Sequence, residues 1–317
     1  MRYLFTVLVV GVVGFFFWRA LADNWDRVRE LDFVITVGAG LGFFLLVAAV
    51  PLSGVLWAHM LSMRLGDGAP GLRDTVATHC LSWTLKYIPG QVGSVANKIL
   101  WAQRQGISRV YVSITFVYEN VFLQLASIIP SALIITVALG SEVFTENPVL
   151  LVLPLTALLP LLLIAHGPTF HRFSRWTVRR ILKRDVDPRY FLSSREALLL
   201  QIEFLAPRLL NAVGFVLIAA SVVPIDASEW LPLGAAYVLA GAVGILAFFV
   251  PSGLGVREAV IVLIASQYMP VSDAIIVSLL ARLYATVADV AVAALYVALR
   301  VRPGGPSPTT STESSQP

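Results

Sequence analysis

The sequence predicts an all-α polytopic membrane protein built as an inverted repeat. Three observations predict it: apolar runs too long for a soluble core, a low content of charge, and a Pro/Gly motif that occurs twice. Of the 317 residues, 57% are hydrophobic and 13% are charged, with a mean hydropathy of +0.81. A soluble domain carries about 25% charged residues, so the chain is poor in the groups that keep a surface in water. The net charge is +4, but the basic residues cluster in loops between apolar runs, as the positive-inside rule expects. That distribution argues against a nucleic-acid partner. Cys80 is the single cysteine, which excludes an intrachain disulfide.

The apolar segments run from about Tyr3 to Leu21, Val34 to Trp57, Val110 to Leu139, Val149 to His166, Ala197 to Val223, Leu231 to Val250 and Ala274 to Leu299. Runs of ~18 or more apolar residues read as bilayer spans. The first could be a signal peptide ending at Ala20-Leu21-Ala22, but Arg19 stands where such peptides are uncharged, which favours a retained span. Thr75 to Gln103 is too polar for a lipid-facing span, and Ala259 to Tyr268 is too short to cross ~30 Å of hydrocarbon.

Loop charge sets orientation. The loop between His166 and Ala197 carries Arg172, Arg175, Arg179, Arg180, Lys183, Arg184, Arg189 and Arg195, so it is expected in the cytoplasm. The loops holding Glu142 and Glu146, and Asp226 and Glu229, carry no Lys or Arg and belong outside. Both termini then fall on the cytoplasmic side of an inner or plasma membrane. Residues 303–317, rich in Pro, Ser, Thr and Gly, are expected to be a disordered tail on a membrane domain of residues 1–302.

Two segments share a signature: Tyr87-Ile88-Pro89-Gly90-Gln91-Val92-Gly93 and Val250-Pro251-Ser252-Gly253-Leu254-Gly255. Their prolines stand 162 positions apart (251 − 89), as do their last glycines (255 − 93). The span after the first ends at the acidic outer loop, whereas the span after the second ends at the basic terminus. The copies are therefore antiparallel, the plan of many transporters. The expected architecture is three spans plus a re-entrant helical hairpin in each half, giving six spans and two hairpins. Repeat 1 covers about 1–140 and repeat 2 about 149–302. Proline stops a helix and glycine supplies turn conformations, so the motifs suit hairpin tips lining a cavity at membrane depth. The half-helices after Gly93 and Gly255 would point N–H groups at that cavity, and such ends attract anions. Two kinked ordinary spans are the plainer alternative.

A charge at the bilayer centre is costly, ~2.5–3.5 kcal/mol on insertion scales, and asks for a reason. Lys86, Lys98 and Arg257 flank the tips and suit an anionic head group; Lys98 could instead snorkel to the surface. Glu119 and Arg282 hold matched places in the two long spans, which predicts an ion pair across the repeat, either structural or functional. Glu258 follows Arg257. Glu203 and Arg208 are further candidates for charge within the membrane that could instead simply reach the interface, and Asp289 has no assigned partner. Trp57, Trp83, Trp101 and Trp230 read as interfacial anchors. Gly38, Gly40 and Gly42 sit inside an apolar run and read as a helix-packing face, not a nucleotide loop. His59, His79, His166 and His171 lack metal-ligand spacing, and Asp74, His79 and Ser82 lack the spacing of a triad.

Tyr87 to Gly93 with Lys98, Pro251-Ser252-Gly253-Leu254-Gly255-Val256-Arg257-Glu258, Glu119 in the span after the first motif and Arg282 in the last span resemble the lysylphosphatidylglycerol synthase transmembrane (flippase-like) family, over about residues 1 to 302. The resemblance implies a stand-alone membrane module, without the soluble aminoacyltransferase domain of longer members, and the high Val, Ala and Arg usage fits a bacterial source. Its implied function is to move an anionic or zwitterionic phospholipid, glycolipid or polyprenyl-linked lipid between leaflets. The residues expected at the substrate are Lys86, Pro89, Gly90, Gly93, Lys98, Glu119, Pro251, Gly253, Gly255, Arg257, Glu258 and Arg282. No catalytic set, metal or cofactor is expected, and no Walker motif is present. The alternative is a membrane partner or regulatory subunit of a lipid- or glycan-modifying transferase, engaged through the basic loop.

Overall fold

The computed structural model describes residues 36–87, 92–139, 158, 162–163, 165–172, 176, 187–247, 253 and 255–300. The first apolar run, most of the run from Val149 to His166, Pro89, Gly90, Pro251 and residues 303–317 lie outside these. Among the described residues every regular element is helical. The α-helices are α1 (Val37–Leu65), α2 (Leu72–Thr84), α3 (Val92–Arg104), α4 (Arg109–Leu139), α5 (Ser194–Glu203), α6 (Leu205–Ala219), α7 (Trp230–Leu246), α8 (Val256–Ala265) and α9 (Val271–Arg300). Five stretches are long and apolar enough to cross a membrane: Val37–Gly68, Arg109–Leu139, Pro188–Ala219, Ala227–Leu246 and Val271–Arg300. The chain is an all-α, multi-pass membrane protein.

Helix boundaries follow local chemistry. The Thr36 hydroxyl accepts from the Ala39 N–H at 3.0 Å and opens α1, and Gly66, at φ 52°, closes it. The expected single span from Ala197 to Val223 is instead two helices, α5 and α6, parted at Phe204. Pro207 explains the break: it has no N–H for the carbonyl of Glu203, and its ring crowds that carbonyl. Helices α2 and α3 hold 13 residues each and α8 holds 10. At 1.5 Å per residue they reach only ~15–20 Å, too short to cross the hydrocarbon.

Helices α1 and α6 pack along each other where glycines remove the side chains between them. A Cβ on Gly42 would lie 2.6 Å from the Gly214 carbonyl oxygen, and one on Gly214 would lie 2.8 Å from that of Gly42. The glycine face expected in α1 is thus real at Gly42, although Gly40 meets open space. Helix α7 is the most enclosed span, 67% buried against 39% for α9, and packs on α4, α6 and α8. Val37, Val137, Leu133 and Val290 are exposed, the outward apolar surface that lipid tails would cover.

Two polar knots fix the ends. Asp74, in the first turn of α2, accepts from the Trp101 indole (2.6 Å) and Gln105 amide (2.9 Å) at the end of α3, and from Arg300 (2.7 Å) at the end of α9. Arg64, in the last turn of α1, grips Glu196 with two bonds of 2.7 and 2.6 Å and also donates to the Arg189 and Phe191 carbonyls. The second knot ties the C-terminal end of the basic loop to α1.

Candidate functional site

A cavity of about 420 Å³ lies at the centre of the bundle, and every described α-helix except α5 contributes to its wall. That volume falls within the ~300–1,000 Å³ usual for small-ligand sites. Its charged lining is Lys86, Lys98, Arg208 and Arg257 against Glu119 and Asp289, an excess of two positive charges.

Lys86 sits in a single 3₁₀ turn (Leu85–Tyr87) that extends α2 toward the first Pro/Gly tip. Its ammonium donates to Asp289 at 2.8 Å and lies 4.1 Å from the Trp83 ring centroid. The Trp83 indole donates to the same carboxylate oxygen at 2.7 Å. Asp289, unassigned in the sequence, is therefore the counter-ion that lets Lys86 stand at this depth. Trp83 belongs to the cavity, and Trp57 and Trp101 are buried, with Trp57 donating to the Thr115 hydroxyl at 3.1 Å. None of these three is an interfacial anchor; Trp230, 40% exposed at the start of α7, has that character.

The ion pair expected between Glu119 and Arg282 is not formed. Glu119 pairs with Lys98 of α3, and Arg282 pairs with Glu258 of α8 at 3.8 Å. The reason is local reach. Each short helix packs against the long helix that follows it, so its own charge arrives first. Lys98 does not snorkel either; it is 1% exposed, held by Glu119 and 4.0 Å from the Trp57 ring centroid. His79 of α2 completes the cluster, with Nδ1 3.2 Å from Glu119 Oε1 and 3.4 Å from Lys98 Nζ. Asp74, His79 and Ser82 do not converge on one another: Asp74 is bound at the helix ends, and the Ser82 hydroxyl donates to the Thr78 carbonyl.

Arg257 reaches the cavity along a groove in α7. Tyr237, Gly241 and Gly244, spaced as one helix face, carry its side chain. A Cβ at Gly244 would lie 2.5 Å from Arg257 Cγ, and one at Gly241 would lie 3.7 Å from its Nη2. The guanidinium carbon stands 5.9 Å from the Tyr237 ring centroid. Gly253 and Gly255, at φ 64° and 82°, turn the chain into α8. Gly93 differs, because α3 begins at Val92 and Gly93 lies in its first turn. The α8 N-terminus is not open to an anion, since Glu258 Oε2 accepts from the Gly255 N–H at 2.7 Å.

Of the two readings of Arg208, the structure takes the intramembrane one: it lines the cavity from α6, beside Asn211. Its Nε is buried without a hydrogen-bond partner, and its charge and that of Arg257 repel. Among the described residues no carboxylate pairs with either guanidinium. Of the residues expected at the substrate, Lys86, Lys98, Glu119, Gly253 and Arg257 line the cavity, whereas Gly93, Gly255, Glu258 and Arg282 do not. Arg208, Tyr237, Gly241, Gly244, His79 and Asp289 were missed as site residues. Arg208 and Asp289 were marked only as intramembrane charges, and the Tyr237–Gly241–Gly244 spacing is the signal that pointed to the groove. Among the described residues no group of three His, Cys, Asp or Glu side chains is placed to hold a metal. Compared with models of known protein families and with curated proteins, the chain matches none.

Proposed function

We propose that the protein is a lipid flippase of a bacterial inner membrane, with both termini in the cytoplasm. The central cavity takes the anionic or zwitterionic head group of a phospholipid, glycolipid or polyprenyl-linked lipid while its tails remain in the bilayer. One observation carries this reading: Arg208 and Arg257 enter one cavity among membrane helices, and neither has a carboxylate partner among the described residues. A charge at membrane depth is costly, and a phosphate accepting from two guanidinium groups is a strong compensation. Lys86, already held by Asp289, lies close enough to feel the charge of Arg257 and extends the basic wall. The volume suits a head group.

The inverted repeat belongs to the same proposal. Lys98–Glu119 joins short α3 to long α4, and Glu258–Arg282 joins short α8 to long α9 with the signs exchanged. Helices α2 with α3, and α7 with α8, then act as two hairpins entering from opposite faces. The basic loop, placed in the cytoplasm by its charge, sets the orientation of the chain in the membrane.

The test is reconstitution of the purified chain in liposomes carrying fluorescent phosphatidylglycerol, phosphatidylethanolamine or a polyprenyl phosphate. The expected result is faster exchange of at least one probe between leaflets, lost in Arg208→Gln and Arg257→Gln. Exchange of none of them by the wild type, or unchanged exchange in both variants, overturns the reading. Retained binding of a transferase through the basic loop under those conditions would place the chain as a partner subunit.

A further inference from the structure

We propose that His79, Lys98 and Glu119 form a proton-binding site in the cavity wall, and that proton uptake there accompanies entry of an anionic head group. The linkage to the head group rests on the flippase reading; the proton site rests on geometry alone.

The geometry is a counting problem. His79 Nδ1 and Glu119 Oε1 are 3.2 Å apart, and both are acceptors when neither carries a proton. A proton therefore sits between them. If it is on Nδ1, that nitrogen donates to Glu119 and cannot accept from Lys98 Nζ at 3.4 Å. Nε2 is then a bare acceptor, buried and without a partner among the described residues. If the imidazole proton is on Nε2, Nδ1 can accept from Lys98, but the Nε2–H is buried without an acceptor and Glu119 must be protonated to face Nδ1. Either neutral tautomer leaves one group unmatched, so no single protonation state satisfies the cluster. One added proton goes to Nε2: imidazolium and ammonium then both donate to the Glu119 carboxylate and the cluster gains one positive charge, while the new Nε2–H has no acceptor among the described residues. No other bond forms or breaks.

His79, Lys98 and Glu119 are all at most 4% exposed, yet each lines the cavity, so they share its electric field. The charged groups facing them are Lys86 at the end of α2, Asp289 from α9, Arg208 from α6 and Arg257 from α8. Helix α1 contributes Trp57, and α4 contributes Phe116, 5.6 Å from Lys98 at its centroid. Asp74 is bound to Trp101, Gln105 and Arg300 at the far end of α2. An anion held at Arg208 and Arg257 adds negative charge to this enclosure and favours the protonated cluster. By reciprocity, protonation tightens the anion, so binding strengthens as pH falls, by at most about tenfold per pH unit for one proton.

Two measurements test this. The full-length protein, labelled with 15N-histidine, is followed in bilayers by solid-state NMR from ~pH 5 to ~pH 9. His79→Gln assigns the His79 signals. The expected result is a titrating His79 ring whose midpoint moves in Glu119→Gln; one tautomer and one charge across that range overturn the proton site. Calorimetry with a short-chain phosphatidylglycerol, in two buffers of different ionisation heat, then reads the linkage. Uptake of part of a proton on binding by the wild type, lost in His79→Gln, supports it. Equal heats in the two buffers overturn the linkage, and absence of binding beside a titrating His79 overturns the head-group reading and leaves the proton site standing.

Discussion

Gly244→Ala reverses the sign that helix propensity predicts. In an ordinary helix interior, Gly→Ala stabilises by ~0.5–1 kcal/mol. In α7 the new Cβ would stand 2.5 Å from Arg257 Cγ and 2.9 Å from its Cδ. Carbon atoms rest at ~3.5–4.0 Å, so the Arg257 stem must retreat by about 1 Å or α7 and α8 must part. Overpacking of this kind costs ~1–3 kcal/mol. If all of it appears in binding, affinity for a phosphatidylglycerol falls by roughly 5- to 150-fold. The clash involves only Cγ and Cδ, because the next neighbour, Gly253 Cα, lies at an ordinary 3.5 Å. In an Arg257→Ala background the same substitution should therefore be neutral, or stabilising by up to ~1 kcal/mol. Thermal unfolding in mild detergent and native mass spectrometry of bound lipid read the two effects. A Gly244→Ala cost of equal size in both backgrounds would refute the placement of Arg257 in the α7 groove.

Three further outcomes follow from the packing. Lys98→Met should destabilise by ~3–5 kcal/mol, because Glu119 is left buried beside a neutral side chain, and Lys98→Met/Glu119→Leu should recover much of that loss on thermal unfolding. Gly42→Val should cost at least ~1–3 kcal/mol, since its Cβ meets the Gly214 carbonyl oxygen at 2.6 Å and Ile218 Cγ1 at 2.9 Å; an unchanged melting temperature would contradict the α1–α6 contact. Arg64→Lys should loosen the end of the basic loop, because an ammonium cannot keep the two-pronged grip on Glu196 together with the Arg189 and Phe191 carbonyls, and limited proteolysis near residue 189 should speed up.

The spans were legible because a bilayer demands long apolar runs, and the charges at Lys86, Lys98, Glu119 and Arg257 stood out against that background. Their partners were not legible. Glu119 finds Lys98, 21 residues back, and not Arg282, because the close packing of α3 on α4 decides which charge arrives first. Trp83 and Asp289 are 206 residues apart, and no local pattern links them. Residue type misled at Trp57 and Trp101, which are buried and whose indoles donate to the Thr115 hydroxyl and the Asp74 carboxylate and not to head groups. Pro207 was a readable signal, since a proline three residues into a helix removes a bond from the preceding turn, and it marks the break that sends Arg208 inward.

The Asp74 knot has a mechanical consequence. One carboxylate joins the start of α2 to the ends of α3 and α9, with Arg73 adding a 2.9 Å bond to the Leu299 carbonyl. Any tilt of α2 that preserves these bonds turns about its Asp74 end, as a lever turns about a fulcrum. Helix α2 is ~20 Å long, so a tilt of ~10° would carry its far end through ~3–4 Å while Asp74 hardly moves. That far end bears Lys86. The lever thus converts a small rotation at the Asp74 end into a displacement large enough to part Lys86 from Asp289.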